Sequence, residues 1–227
     1  MAPLATPHWE AVTPEARRLL TVLGQLPLLQ PFYLGGGTAL ALRLGHRISR
    51  DLDLFADIET LDEGLRRDIV GELRKDHSVN LLHDSPLELA LDVDGQAVSF
   101  FTYGYPLLEP TDRVAQVQIA GLVDIGLMKL DAIAGRGMRK DFYDLYFIAS
   151  HVTLAELFDL CVVKYPESQG FGMRVLTALV DFDVADQEEE PTLLQPASWE
   201  SAVKAFFVAE SRRIGREWFG LAGRNAE

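Results

Sequence analysis

The sequence has little cysteine and no long apolar run. Its single cysteine, Cys161, cannot form a disulfide within the chain, so we expect a buried thiol in a reducing compartment. Charged residues or glycines interrupt every apolar stretch before it reaches the roughly 20 residues that a membrane-spanning helix needs. The first residues contain no basic segment followed by an apolar core, so no secretory signal is expected. These absences predict a cytoplasmic protein that does not enter a membrane.

The chain is also short of positive charge. Its net charge of −13 argues against broad electrostatic capture of nucleic acid, which needs many Lys and Arg contacts to phosphate. However, seven of the 21 basic residues fall in two short windows: Arg43, Arg47 and Arg50, and then Lys129, Arg136, Arg139 and Lys140. An acidic protein with a local basic cleft can still bind a phosphorylated ligand.

The hydrophobic periodicity predicts an α+β fold. Helices are expected at 14–30, 38–45, 60–77, 123–150, 153–165, 173–182 and 197–219, and strands at 31–37, 51–56, 87–93, 97–105 and 114–121. Strands 87–93 and 97–105 form an expected hairpin, the helix at 123–150 is expected to break near its two glycines, and 183–196 is an acidic loop. We therefore predict a mixed sheet with flanking helices over 1–122, followed by a helical bundle over 123–227.

One segment in the first half combines features that suit a triphosphate and a metal ion. A short strand ends in Gly35, Gly36 and Gly37, which let the backbone approach a ligand, and Thr38 is expected to cap the next helix. The free N–H groups of that helix would point at the same spot. Asp51 and Asp53 alternate on a strand, so their carboxylates share one face and repel each other unless a cation such as Mg²⁺ lies between them.

The second basic window has two interpretations. The first is functional: a helix whose apolar side faces the core leaves the Lys129 ammonium free to reach a phosphate. The second is structural: Arg136, Lys140, Asp141 and Asp144 form an ion-pair network on a helix surface, since Asp141 and Asp144 lie one turn apart.

Two sequence blocks resemble the AbiEii/AbiGii-type nucleotidyltransferase toxins of the DNA polymerase β-like superfamily. The first is Gly35-Gly36-Gly37-Thr38-Ala39-Leu40 followed by His46-Arg47-x-Ser49-x-Asp51-x-Asp53-Leu54-Phe55. The second is Lys129-Leu130-x-Ala132-Ile133-x-x-Arg136 followed by Lys140-Asp141-Phe142-x-Asp144-Leu145-Tyr146. Together they cover about residues 30–150.

The resemblance implies transfer of a nucleotide from an NTP with two Mg²⁺ ions held by Asp51 and Asp53. It also implies catalytic roles for Lys129 and Asp141. The implied nucleotide-binding residues are Gly35, Gly36, Gly37, Thr38, Arg47, Ser49, Arg136 and Lys140. Relatives of this kind are toxins of toxin–antitoxin or abortive-infection systems, and some modify tRNA, so a cognate antitoxin and an RNA acceptor are expected partners.

One departure from the family pattern concerns a third metal-binding carboxylate. The position where it is expected, on the strand after the D-x-D strand, holds Ser99. If the hairpin turns at Gly95-Gln96, Asp92 lies opposite Ser99 and could supply the charge. If it turns at Asp94-Gly95, Ala90 lies there instead and the hypothesis fails. A third option is that Asp141 completes the site.

The leading prediction is a Mg²⁺-dependent nucleotidyltransferase toxin that acts on RNA, with tRNA as one candidate acceptor. One alternative is transfer to a small molecule or a protein hydroxyl, which the acidic composition favours. The other is a nucleotide-binding protein without catalytic activity, in which the absent carboxylate reflects lost turnover.

Overall fold

The computed structural model describes residues 3–168 and 170–220. The chain divides into two compact units, Met1–Ile125 and Gly126–Glu227. The first unit contains a β-sheet with helices, and the second is helical. The fold class is therefore the predicted one, a mixed sheet with flanking helices followed by a helical region.

The first unit contains three α-helices within its first 75 residues. They are α1 (Pro14–Leu23), α2 (Gly36–Leu44) and α3 (Glu63–Leu73). Thr13 and Asp62 cap α1 and α3 with their side chains, which accept from Ala16 N and Leu65 N. The C-cap of α2 is Gly45, which is in the left-handed conformation. These ends follow the residue preferences of helix caps.

Within the described residues the strands form one seven-stranded sheet in the order β3-β4-β5-β2-β1-β7-β6. The strands are β1 (Tyr33–Leu34), β2 (Leu52–Ala56), β3 (Val79–Asp84), β4 (Glu88–Val93), β5 (Gln96–Thr102), β6 (Asp112–Val114) and β7 (Val117–Ile119). Strand β2 pairs in parallel with β5 and β1 in parallel with β7, whereas the other pairs are antiparallel.

The two faces of the central strands have different environments. Residues such as Leu54, Leu91 and Phe100 are at most 1% exposed. Helix α1 packs against β5 and β7, α2 against β2, and α3 against β3. Residues of the opposite face, such as Asp53 and Ser99, are only half-buried. This second face is therefore the one that a ligand can reach.

Several boundaries differ from the prediction. The helix expected over 14–30 ends at Leu23 and is followed by a short 3-10 turn at Pro27–Leu29, because Pro27 cannot continue the helix. The single strand expected over 114–121 is instead the β6–β7 hairpin. Its turn residues Ala115 and Gln116 both have positive φ, 48° and 68°, without a glycine to signal the turn. Strand β3 was not predicted.

The second unit contains most of α4 (Leu122–Gly135), followed by α5 (Arg139–Ile148), α6 (Leu154–Lys164), α7 (Phe171–Ala178) and α8 (Ala205–Phe219). The predicted break near Gly135 and Gly137 separates α4 from α5. A π-helical turn at Trp199–Lys204 leads into α8. Among the described residues no helix has the length and apolar character needed to cross a bilayer.

Candidate active site

A glycine loop between β1 and α2 lies directly against Asp53. Gly35 is the N-cap of α2 and donates its N–H to the Asp53 carbonyl at 2.9 Å. Gly36 has φ of +60°, and a Cβ at this position would lie 2.7 Å from Asp53 Oδ2. A Cβ on Gly37 would lie 2.5 Å from an Arg47 guanidinium nitrogen. The positive φ favours glycine at position 36, and the Asp53 and Arg47 side chains approach the loop where side chains of Gly36 and Gly37 would otherwise lie.

Thr38 fastens the loop to the following segment but does not cap the helix. Its hydroxyl donates to the Asp51 carbonyl at 2.5 Å and lies 2.8 Å from Ser49 Oγ. The predicted capping role is wrong because α2 begins two residues earlier, with Gly35 as its N-cap. Thr38 instead connects the first turn of α2 to the backbone of Asp51.

Ser49 and Arg47 are buried beside the loop. The Ser49 N–H donates to the Ala11 carbonyl at 2.8 Å, so the segment preceding α1 fixes this residue. Arg47 is only 5% exposed and donates to the Ile48 carbonyl at 3.1 Å. His46 is wholly buried. A guanidinium and a hydroxyl therefore lie close to Gly37.

Asp51 and Asp53 lie at the start of β2. Asp51 is exposed, and its carboxylate makes no ion pair within the described residues, whereas Asp53 is half-buried. In the parallel β2–β5 pairing, Asp53 is directly beside Ser99. The position expected to hold a third carboxylate is thus next to Asp53 in the sheet and carries a hydroxyl.

Asp92 does not supply the missing carboxylate, and that hypothesis is wrong. The hairpin turns at Asp94-Gly95, whose φ values of 53° and 84° form a tight turn, so Ala90 lies opposite Ser99. Asp92 pairs with Ala97 on a strand two removed from β2. Its carboxylate accepts from the Gly95 N–H at 3.2 Å and from Asn80 at 3.4 Å. Asp92 therefore stabilises the turn.

The donor set at β2 fits a hard divalent cation only in part. Carboxylate oxygens suit Mg²⁺, which is usually held by one or two carboxylates together with phosphate oxygens and water. Among the described residues no group of three or more His, Cys, Asp or Glu side chains is placed to hold a metal ion. A cation bound by Asp51 and Asp53 would need further oxygen ligands from a bound phosphate or from solvent.

The second sequence block forms a buried ion-pair cluster. Lys129 of α4 contacts Asp141 Oδ1 at 2.8 Å and Asp144 Oδ2 at 2.6 Å, both on α5. Arg136 binds the Asp141 carboxylate through two nitrogens, at 2.9 and 3.0 Å. Both carboxylates are 0% exposed, and the Lys129 ammonium is held between them. The prediction of a free ammonium is wrong, and the ion-pair network centres on two buried carboxylates, with the Arg136 side chain 53% exposed at its margin.

Charge holds Asp141 ionised in this cluster. Burial alone would raise the pKa of the Asp141 carboxyl, but the nearby Lys129 and Arg136 charges and their hydrogen bonds bring that pKa below its ordinary value. Both oxygens of Asp141 therefore already accept hydrogen bonds from cations. Lys140 is half-buried and makes no ion pair within the described residues, so it lies outside the cluster.

Sequence reasoning missed a row of aromatic rings on the half-buried face of the sheet. Tyr33, Phe55 and Phe101 are paired across β1, β2 and β5. Their rings stack, with centroids 6.0 Å apart for Tyr33–Phe55 and 5.1 Å for Phe55–Phe101. The available signal was the alternation itself, since Phe55 and Phe101 are two residues beyond Asp53 and Ser99 and must share their face.

Comparison with known proteins gives a consistent assignment. A family model described as "Nucleotidyl transferase AbiEii toxin, Type IV TA system" matches residues 18–106 and 84–218. An uncharacterized protein of Aquifex aeolicus (strain VF5), aq_aa25, is 39% identical over 178 residues, which are 77% of this chain and 84% of that protein.

A solved structure has a similar fold. It is the nucleotidyltransferase toxin MenT4 (Rv2826c) of Mycobacterium tuberculosis H37Rv, with a TM-score of 0.52 and 21% sequence identity. The superposition covers 87% of this chain and 86% of that one. At this identity the likeness concerns the fold alone.

Proposed function

Because the chain belongs to the AbiEii nucleotidyltransferase toxin family, we propose that it transfers a nucleotide from an NTP to an RNA hydroxyl, with tRNA as a candidate acceptor. The observation that carries this proposal is the contact between the glycine loop and the D-x-D strand. Gly36 approaches Asp53 so closely that a triphosphate bound by the loop would have its phosphates beside the carboxylates.

The loop residues are assigned to the triphosphate. Backbone N–H groups of Gly36 and Gly37, at the first turn of α2, suit phosphate oxygens in both charge and direction. Arg47 adds positive charge beside Gly37, and Thr38 and Ser49 keep the loop close to Asp51. These residues bind and orient the nucleotide, which is the main requirement of phosphoryl and nucleotidyl transfer.

Asp51 and Asp53 are assigned to hold Mg²⁺ together with the phosphates of the bound NTP. Magnesium there would neutralise the charge of the leaving pyrophosphate and favour ionisation of the attacking hydroxyl. Ser99, adjacent to Asp53, provides a neutral oxygen. The site thus contributes two carboxylates, and the substrate contributes the remaining negative ligands.

Lys129 and Asp141 remain proposed catalytic residues, and Arg136 and Lys140 remain proposed nucleotide-binding residues. The buried pairs to Asp141 and Asp144 fix the position of the Lys129 side chain. A fixed ammonium is better suited to a single defined phosphate position than a mobile one, because less rotamer entropy is lost on binding.

The family's description as a type IV toxin–antitoxin toxin supports a cognate antitoxin as a partner. The proposed biological role is that of the toxin, which modifies cellular RNA when the antitoxin is absent. We expect that a reading frame for the antitoxin lies beside the gene.

The direct test is incubation of the purified chain with each α-³²P-labelled NTP, Mg²⁺ and total tRNA, followed by separation of RNA, protein and small molecules. Label in tRNA that disappears with EDTA supports the proposal. Label in protein or in a small molecule would show that the acceptor is a protein hydroxyl or a small molecule and not RNA. NTP binding without any transfer would instead indicate a protein without catalytic activity.

A further inference from the structure

The residue that carries the exposed carboxylate of the proposed metal site lies just outside the sheet. Strand β2 begins at Leu52, which is also its first residue to pair with β5, so Asp51 precedes the paired segment. Asp53 differs, because it lies within the paired strand and its carbonyl accepts from the Gly35 N–H at 2.9 Å. The backbone of Asp51 is therefore not held by the strand pairing that holds Asp53.

A hydroxyl on α2 holds this backbone from one side. Thr38 Oγ1 lies 2.5 Å from the Asp51 carbonyl oxygen and 2.8 Å from Ser49 Oγ. Because a carbonyl can only accept, the single proton of the Thr38 hydroxyl is donated to Asp51, and the Ser49 hydroxyl donates to Thr38. Both side chains are buried. The two hydroxyl protons are thus engaged within the protein, and the bond that reaches the metal-site segment comes from Thr38.

A buried amide on β5, which sequence reasoning did not single out, holds the preceding residue. Gln96 donates from Nε2 to the Arg50 carbonyl at 2.6 Å and to the Ala97 carbonyl at 2.9 Å. An amide nitrogen carries two hydrogens, so both bonds can form together. Gln96 alternates along β5 with the buried residues Val98 and Phe100, and it is itself buried. The amide therefore reaches Arg50 from the core side of the sheet.

The two donors hold the backbone and leave the carboxylate open. The Asp51 side chain is exposed, whereas Thr38 and Gln96 are buried. Their bonds join residues 13 and 46 positions apart, so they set the position of the segment and not the shape of a local turn. A carboxylate on a fixed backbone has fewer conformations to lose when it binds a cation.

We propose that Thr38 and Gln96 are positioning residues for Asp51, which hold the backbone at residues 50 and 51 so that the carboxylate is placed to bind a divalent cation. This inference rests on the proposed function and deepens it. It adds Gln96 to the site and assigns the Thr38 hydroxyl to the metal ligand, not to the triphosphate. Each residue acts through Asp51.

The test is a double-mutant cycle in the full-length chain, read by nucleotide binding without turnover. The probe is a fluorescent α,β-methylene triphosphate, prepared with each of the four bases. Its affinity is measured with excess Mn²⁺ and again with EDTA, and the ratio of the two affinities is the metal-dependent part. Thr38→Val and Gln96→Met, which remove the donors at similar volume, are each introduced into the wild type and into Asp51→Asn.

Each variant should lower this ratio by about 5-fold in the wild-type background, the order of one lost hydrogen bond. With Asp51→Asn it should change the ratio by less than about 1.5-fold, because the ligand through which it acts is already lost. The affinity in EDTA should stay at the wild-type value, since no contact to phosphate is removed. Thr38→Ser, which keeps the hydroxyl, should restore the wild-type ratio.

Two matched controls remove comparable bonds that lie within single turns of the chain. Thr21→Val removes a hydroxyl that donates to the Arg17 carbonyl at 3.0 Å. Gln187→Met removes an amide that donates to the Asp183 carbonyl at 2.8 Å. Both controls should keep the wild-type ratio.

Equal losses with and without the Asp51 carboxylate, or no loss in either variant, would overturn the inference. A loss of the same size in EDTA would assign the donors to the triphosphate or to the stability of the loop, and would overturn it as well. A wild-type ratio close to one would leave no metal site to position. Thermal unfolding shows which variants are folded, and Gln96→Met decides the outcome if Thr38→Val is not.

The label-transfer assay separates this inference from the proposed function. If the wild type shows the expected pattern of ratios but transfers no label, the proposed function fails while the positioning inference stands. Normal transfer by a wild type whose Thr38→Val and Gln96→Met variants keep its ratio gives the reverse.

Discussion

The chain contains two pairs of closely spaced aspartates in opposite environments. Asp51 and Asp53 lie at the start of the central strand β2, where Asp51 is exposed and Asp53 is half-buried, whereas Asp141 and Asp144 are wholly buried. The buried pair is already neutralised by Lys129, with Arg136 on Asp141. Two buried carboxylates that have internal cations stabilise a fold, whereas an exposed carboxylate such as Asp51 is suited to receive a cation from solvent. The difference lies in the surroundings, since each pair consists of two aspartates.

The largest expected effect concerns the exposed pair. Asp51→Asn and Asp53→Asn should each lower the rate of label transfer by at least about 1,000-fold, equivalent to about 4 kcal/mol of transition-state stabilisation, because a metal ligand is lost. The measurement is single-turnover transfer with Mg²⁺ and labelled NTP. Asp57→Asn, an exposed acid just beyond β2, is the control and should retain its rate. Full activity of Asp51→Asn would remove this pair from catalysis.

The next effect concerns the buried pair and is measured as stability. Asp141→Ala should lower the free energy of unfolding by about 3 kcal/mol, because Arg136 and Lys129 lose a shared buried partner while Lys129 keeps Asp144. Urea unfolding gives this value. Asp51→Ala, at the exposed pair, should change it by no more than about 0.5 kcal/mol. Equal effects of the two substitutions would mean that the contrast between the pairs is wrong.

Acid should reveal the same contrast. Since the pKa of the Asp141 carboxyl is lowered on folding, its contribution is fully present above the ordinary aspartate pKa and is lost as pH falls through the lowered value. Wild-type stability in urea should therefore decrease below about pH 4. Asp141→Asn, which cannot ionise, should flatten that decrease. An Asp141→Asn curve parallel to that of the wild type would contradict the assigned coupling.

The smallest effect concerns Asp92, which belongs to neither pair. Asp92→Ala should leave the metal affinity and the transfer rate within about twofold of wild type, because the side chain only supports the β4–β5 turn. Loss of that contact should cost about 1 kcal/mol or less in urea unfolding. A marked fall in Mg²⁺ affinity would restore Asp92 as a ligand.

Much of the fold could be predicted because periodicity and end signals agreed. The alternation at 51–56 and Gly45 at the end of α2 both correspond to the observed elements. The β6–β7 hairpin could not be predicted, since Ala115 and Gln116 turn without the usual glycine. Strand β3, with most of its residues exposed and a bulge near Leu81, lacks a clean alternation.

The candidate site was only partly predictable. The glycine loop lies close in sequence to Asp51 and Asp53, so their spacing along the chain was enough to predict that they are neighbours. The register of the β4–β5 hairpin decides whether Asp92 or Ala90 lies opposite Ser99. It depends on which two residues form the turn, and moving the turn by one residue changes every cross-strand pair. The burial of Asp144 depends on contacts between helices, which spacing within one helix does not reveal.

The presence of Ser99 beside Asp53 makes the binding of metal and nucleotide mutually dependent in the proposed function. Because the protein supplies only two carboxylates, the triphosphate must supply much of the negative charge that surrounds the cation. By linkage, NTP must then raise the affinity for Mg²⁺ by the same factor by which Mg²⁺ raises the affinity for NTP. A serine at one sheet position would thus make the site selective for the metal–nucleotide complex over either component alone.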